Sequence, residues 1–122
     1  AKGRDYSIMI SDSLRAKHCP PGGEYELGGH PIELRDNGLA YLKGTDTIAG
    51  STLHMNRGLR LLVEEALVPF DAALNACTIN PARCLRVDDH KGRLAAGYDA
   101  DLVVLEDNYD VCQTYCKGKA ML

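Results

Sequence analysis

The apolar runs of this chain are short. Leu61–Val63 and Leu102–Leu105 are among the longest, and Gly, Pro, Asn or Asp follows or precedes each within a few residues. Such punctuation restricts the chain to short strands and short helices. It also excludes a bilayer-spanning helix, which needs about 20 consecutive apolar residues. The 122 residues are one domain's worth, and 45% apolar against 25% charged residues suits a packed soluble domain rather than a disordered one. The balance of 14 basic against 17 acidic residues gives a net charge of −3. A nucleic-acid binder shows a basic excess, so neither nucleic acid nor membrane is an expected partner. Cys19, Cys77, Cys84, Cys112 and Cys116 are odd in number and form no Cys-x-x-Cys pair. Reduced thiols, a cytoplasmic setting and no secretory signal are the expectation.

Tyr6–Ile10 is rich in β-formers and too short for a helix, so it reads as a buried strand, followed at once by Ser11-Asp12-Ser13. A polar loop then ends in Cys19-Pro20-Pro21-Gly22-Gly23. Residues 24–43 read as an antiparallel meander. Its strands are Glu24–Leu27, His30–Arg35 and Leu39–Lys43, joined by Gly28-Gly29 and by Asp36-Asn37-Gly38, where Asn-Gly tolerates positive φ. Gly44–Gly50 reads as a loop.

Ser51 or Thr52 is placed to cap a helix whose apolar face is Met55, Leu59, Leu62, Val63 and Ala66, with Arg60 and Glu64 paired on its other side. A second helix is expected over Pro69–Cys77, with Phe70, Ala73, Leu74 and Cys77 inward. A third starts at Asn80-Pro81, with Asn as cap and Pro in the first turn, and ends near Arg86. Leu102–Leu105 is a buried strand paired with Val111–Cys116. Lys117-Gly118-Lys119 turns the chain toward a further strand at Ala120-Met121-Leu122.

Local spacing shows no metal site. His18, His30, His54 and His90 are scattered, with no His-x-His or His-Glu-x-x-His. Cys112 and Cys116 face one side of a strand about 13 Å apart, too far to share a metal or a disulfide. Two places are candidates for chemistry. Asp12 follows a strand, where α/β enzymes keep reactive groups, and a carboxylate there suits general base and acid work; the alternative is a cap on the turn at Ser13. Ile48-Ala49-Gly50-Ser51-Thr52 offers a glycine that a ligand can approach and helix-start N–H groups that suit polar ligand atoms; the alternative is a plain loop and a cap.

Several runs resemble one enzyme family. They are Ser11-Asp12-Ser13, Arg35-Asp36-Asn37-Gly38-Leu39-Ala40, Thr47–Met55, Asn80-Pro81-Ala82-Arg83-Cys84-Leu85 and Gly92–Leu105. In this order, and over essentially the whole chain, they resemble the C-terminal third of N-acetylglucosamine-6-phosphate deacetylases. The Asn-Pro-Ala-Arg and Gly-x-Leu-x-x-Gly-x-x-Ala-Asp-Leu-Val-Val-Leu stretches occur across the amidohydrolase superfamily. The Ala-Gly-Ser-Thr-Leu-x-Met run behind the Arg-Asp-Asn-Gly hairpin is narrower and points to the deacetylase. Family members usually carry Thr where this chain has His54.

The resemblance implies an α+β fragment: the last strand and helices of a (β/α)8 barrel, then C-terminal strands of a small β-sandwich. Residues 1–98 would be the barrel part, with a β-hairpin insertion at about 24–43, and residues 99–122 the sandwich part. It implies hydrolysis of the acetamide of N-acetylglucosamine 6-phosphate to acetate and glucosamine 6-phosphate, with a divalent metal, zinc first among candidates. By the same match Asp12 is the proton-shuttling aspartate at the end of the eighth barrel strand, and Ile48, Ala49 and Gly50 contact the sugar. The metal ligands and phosphate-binding groups of the family lie upstream of the matched residues. A complete barrel needs about 250 residues. The chain is therefore expected to be a fragment, inactive alone, and to self-associate or repack through strand edges left without neighbours.

Two other functions fit the less specific motifs. One is a fragment of another amidohydrolase, dihydroorotase-like or dipeptidase-like. The other is a non-catalytic module that binds a sugar phosphate without hydrolysing it.

Overall fold

The computed structural model describes residues 3–121. Among these residues the fold is α+β, with three helices, a short 3-10 turn and two antiparallel sheets. The chain divides into two compact units, Ser11–His54 and Ala1–Ile10 with Met55–Leu122.

The unit Ser11–His54 starts with a 3-10 turn over Arg15–His18 and continues as β1 (Tyr25–Leu27), β2 (His30–Leu34), β3 (Leu39–Leu42) and β4 (Ile48–Ser51). The strands are hydrogen-bonded in that order. The expected meander forms because Ile32 and Leu34 alternate inward, and they bury against Ala16 and Ala40, with Leu14, Tyr25 and Leu42 around them. Gly38 sits at φ +78° in the second turn, and Asn37 Oδ1 accepts the Leu39 N–H at 3.0 Å, so both residues of the Asn-Gly pair shape the hairpin. Arg35 fixes the same turn from outside. Its guanidinium reaches Glu33 at 2.8 Å, Asp46 at 3.1 Å and the Thr45 carbonyl at 2.8 Å, and lies 3.8 Å over the Tyr41 ring.

The end of Gly44–Gly50 is a strand rather than a loop. Thr45 closes a turn by donating to the Leu42 carbonyl, and the chain returns along β3 with Tyr41 opposite Ile48 and Ala40 opposite Gly50. Two residues of β3 face three of β4, so Ala49 is the extra residue of a bulge. Local apolar alternation is too short here to announce a strand; pairing with β3 supplies what propensity does not.

In the other unit, α1 (Met55–Glu64), α2 (Phe70–Cys77) and α3 (Ile79–Cys84) precede β5 (Leu102–Leu105), β6 (Val111–Cys116) and β7 (Lys119–Met121). Leu59 of α1 is buried, a contribution of roughly 1.5–3 kcal/mol. Arg60 pairs with Glu64 at 2.7 Å as its i,i+4 spacing predicts. The β5–β6 hairpin and the return strand β7 form as expected, with Leu122 outside the described residues. Lys91 spans Asp99 and Asp101 at 2.7 and 2.5 Å, while the other oxygen of Asp101 accepts the Lys117 N–H at 2.7 Å. The Ala-Asp pair that opens β5 is thus a structural clamp on the β6–β7 turn.

Five expectations fail here, each for a tertiary reason. Tyr6–Ile10 is not a buried strand: no strand pairs with it among the described residues, and Tyr6 and Ile10 are 79% and 72% exposed. It is held to the helices instead, the Met9 N–H donating to the Ala76 carbonyl at 2.9 Å. That approach selects the inward face of α2. Ala73 and Ala76 are buried because only small side chains leave room, while Phe70 and Leu74 turn outward. Asn80 lies within α3 rather than capping it. Its buried amide donates to the Arg4 and Ser7 carbonyls, both at 2.8 Å. Ser51 ends β4, and α1 starts only at Met55, so neither Ser51 nor Thr52 is an N-cap. Val103 and Val104 of β5 stay 54% and 43% exposed, in a sheet of three strands.

Candidate functional site

Asp12 and the Ile48–Gly50 segment are 36 residues apart in sequence and adjacent in the unit Ser11–His54. The segment after Ser11 runs parallel to the end of β4, with Ser13 bridging Ser51. The Ser51 N–H donates to the Asp12 carbonyl at 2.8 Å, and the Leu14 N–H donates to the Ser51 carbonyl at 3.0 Å. Asp12 is exposed and takes φ +47°, a left-handed conformation that aspartate tolerates better than most side chains. Among the described residues its carboxylate makes no hydrogen bond or ion pair, so it is not the cap of the turn at Ser13 and is open to solvent.

Gly50 is buried at φ +128°. A Cβ on it would lie 2.9 Å from two side-chain carbons of Leu14 and 3.0 Å from the Asp12 carbonyl oxygen. The glycine is therefore required by the chain's own backbone, whatever else approaches it. Ile48 is 58% exposed and Ala49 half-buried at the bulge. The N–H groups expected to be free for a ligand are engaged: that of Ser51 by Asp12, and that of Thr52 by the Gly38 carbonyl at 2.9 Å. A cleft of about 980 Å³ in the same unit begins next to Asp12, at Ser13 and Leu14, and is walled by Arg15, Tyr25 and the Lys43–Glu24 ion pair at 3.0 Å.

His18 and His54 meet edge to face, ring centroids 5.5 Å apart. Desolvation, then the charges of Lys17 and His18, hold the His54 imidazole below its ordinary pKa. Sequence spacing gave no sign of this pair; only the β4 return brings residue 54 back to residue 18. No group of three or more His, Cys, Asp or Glu side chains converges to hold a metal among the described residues. These residues alone do not make a ligand set for the divalent ion that the resemblance implies. All five cysteines are free thiols. Burial pushes that of Cys77 up.

Comparison with known proteins supplies the context of this geometry. The amidohydrolase family model matches residues 30–121. The N-acetylglucosamine-6-phosphate deacetylase of Bacillus subtilis is 38% identical over 118 residues, 97% of this chain and 29% of that protein. The Danio rerio enzyme of the same name is 36% identical over 113 residues, 92% of this chain and 27% of that one. The crystal structure of N-acetyl-D-glucosamine-6-phosphate deacetylase from Mycobacterium smegmatis superposes on 98% of this chain and 32% of its own, with a TM-score of 0.88 and 34% identity. A variant of that enzyme in complex with N-acetyl-D-glucosamine-6-phosphate superposes with a TM-score of 0.86. The chain spans under a third of the length of these relatives. With a family model matched over most of its residues and a shared fold at 34% identity, the chain belongs to the amidohydrolase family.

Proposed function

We propose that this chain is the C-terminal part of a hydrolase that converts N-acetylglucosamine 6-phosphate to glucosamine 6-phosphate and acetate. One observation carries the reading: an exposed carboxylate at Asp12, without a partner among the described residues, whose backbone is hydrogen-bonded to Ser51 at the end of β4. In this reading Tyr6–Ile10 is the last strand of a (β/α)8 barrel. Residues 1–98 belong to that barrel, with a hairpin insertion at about 24–43, and residues 99–122 belong to a small β-sandwich. The exposed apolar side chains of Tyr6 and Ile10, on a segment with no strand paired to it among the described residues, support this. The same exposed segment supports self-association of the chain on its own. Light scattering that finds only monomer at high concentration would remove that part.

Asp12 takes the proton of the attacking water and returns it to the departing amine, so one group serves as base and then acid. Ile48, Ala49 and Gly50 contact the sugar. Ile48 is exposed enough to do so by side chain. A divalent metal, zinc by the resemblance, would supply polarisation of the amide from ligands that the described residues do not contain.

The test is a chimera in which this chain replaces the matching segment of the Bacillus subtilis relative. Acetate release from N-acetylglucosamine 6-phosphate is expected, with Asp12→Asn lowering kcat about 10²–10⁴-fold. A folded chimera in which Asp12→Asn turns over normally would end the assignment. The chain alone, with zinc and substrate, is expected to release no acetate.

A further inference from the structure

We infer that Ser51 is the positioning residue for Asp12: its hydroxyl and its N–H each hold one of the two peptide groups that flank Asp12. The inference rests on the reading of Asp12 as the proton carrier. The φ and ψ of a residue are the two rotations between the peptide plane before it and the one after it. Ser11 O lies on the first plane and Asp12 O on the second. The Ser51 hydroxyl donates to Ser11 O. The Ser51 N–H donates to Asp12 O at 2.8 Å, and the Ser51 carbonyl accepts the Leu14 N–H at 3.0 Å. One residue thus fixes both rotations of Asp12, including the φ of +47° that an unconstrained aspartate rarely takes.

Ser51 is itself buried and held by its neighbours. It is 7% exposed, pairs with Leu39 in the sheet, and its Oγ also accepts the Leu53 N–H at 3.1 Å. The hydroxyl is donor and acceptor at once, which serine and threonine provide and alanine does not. Gly50 completes the device, because any side chain there would push Asp12 O and Leu14 away. Asp12 itself stays exposed, with no partner among the described residues holding its side chain, so its direction is set from the backbone.

The experiment is solution NMR of the isotopically labelled chain, with no metal or sugar, on Ser51→Ala and Ser51→Thr. In Ser51→Ala the Asp12 Cα and Cβ resonances are expected to move toward those of extended aspartate. The Ser51 and Leu14 amides, numbered as in the parent, are expected to exchange at least tenfold faster, while the Leu59 and Leu62 amides of α1 keep their rates. Ser51→Thr restores both signatures. Unfolding of residues 11–54 in Ser51→Ala with a native Ser51→Thr supports the same conclusion. Unchanged Asp12 resonances in Ser51→Ala, or equal disruption in both variants, overturns it. Because no turnover is read, failure of the deacetylase reading shows up separately, in the Asp12→Asn chimera.

Discussion

Replacing Gly50 by alanine perturbs the backbone that holds Asp12. Two costs add. The backbone sits at φ +128°, a region nearly closed to side-chain-bearing residues, worth of order 1–3 kcal/mol of strain. The new methyl would also stand 2.9 Å from Leu14 carbons and 3.0 Å from Asp12 O. Leu14 can yield, but the Asp12 carbonyl is held by the Ser51 N–H, so relief breaks that bond. Overpacking of this kind costs about 1–3 kcal/mol more. The sum, about 2–6 kcal/mol, is large against the 5–15 kcal/mol of a typical domain.

Gly44→Ala is the matched control. It too has positive φ, +77°, yet a Cβ there would meet nothing within 4 Å. It bears only the left-handed penalty, about 1–2 kcal/mol. Urea unfolding followed by the amide signals of residues 11–54 reports both variants. Gly50→Ala should lower the midpoint by more than about 1 M, and by clearly more than Gly44→Ala. Equal shifts in the two variants would refute the claim that Asp12 and Leu14 crowd Gly50.

Asn80→Ala leaves the Arg4 and Ser7 carbonyls without their donor and should destabilise the unit by roughly 2–4 kcal/mol, read as a lower urea midpoint, with faster exchange at the Met9 amide. Lys91 holds the carboxyls of Asp99 and Asp101 below their usual range, so their contribution is present above about pH 4 and fades as acid protonates them below it. Lys91→Met should flatten that acid limb of a thermal-melt series between pH 2 and 5. The His54 imidazole is lowered, so the unfolded chain binds the extra proton and stability falls as pH drops through about 6.5. His54→Gln should remove part of that slope. Cys77, half-buried with its thiol pushed up, should alkylate more slowly than exposed Cys84, Cys112 and Cys116, as peptide mass mapping after a short iodoacetamide pulse would show.

Elements whose signals are local were legible. The Asn37-Gly38 hairpin, the Arg60–Glu64 face of α1 and the β5–β6 hairpin each follow from residues within one turn or one strand pair. Elements decided by a distant neighbour were not. Phe70 and Leu74 look inward by period, but the arrival of Met9 at Ala76 turns the alanine face toward the core. Asn80 carries every mark of a cap and instead spans to Arg4 and Ser7, over seventy residues away in sequence. β4 is invisible in its own residues because β3 provides its reason to be extended.

The candidate site shows the same division inside a single tripeptide. A glycine in Ala49-Gly50-Ser51 announces that something approaches its backbone, but sequence cannot say what. A ligand is one of the two readings the residues leave open; the structure puts Asp12 O and Leu14 there. These two answers are compatible only if they use different sides of β4. One side of the strand is taken by β3 and the other by the Asp12–Leu14 segment, both through in-plane hydrogen bonds. What is left for a sugar is the face of the strand, where Ile48 is exposed and the bulge turns Ala49 out of register. A ligand reached by Ile48–Gly50 would then meet a surface rigidified from both edges, with Asp12 fixed to the same strand that orients the substrate. Base and substrate would share one reference frame, the condition under which a proton carrier works without searching for its partner.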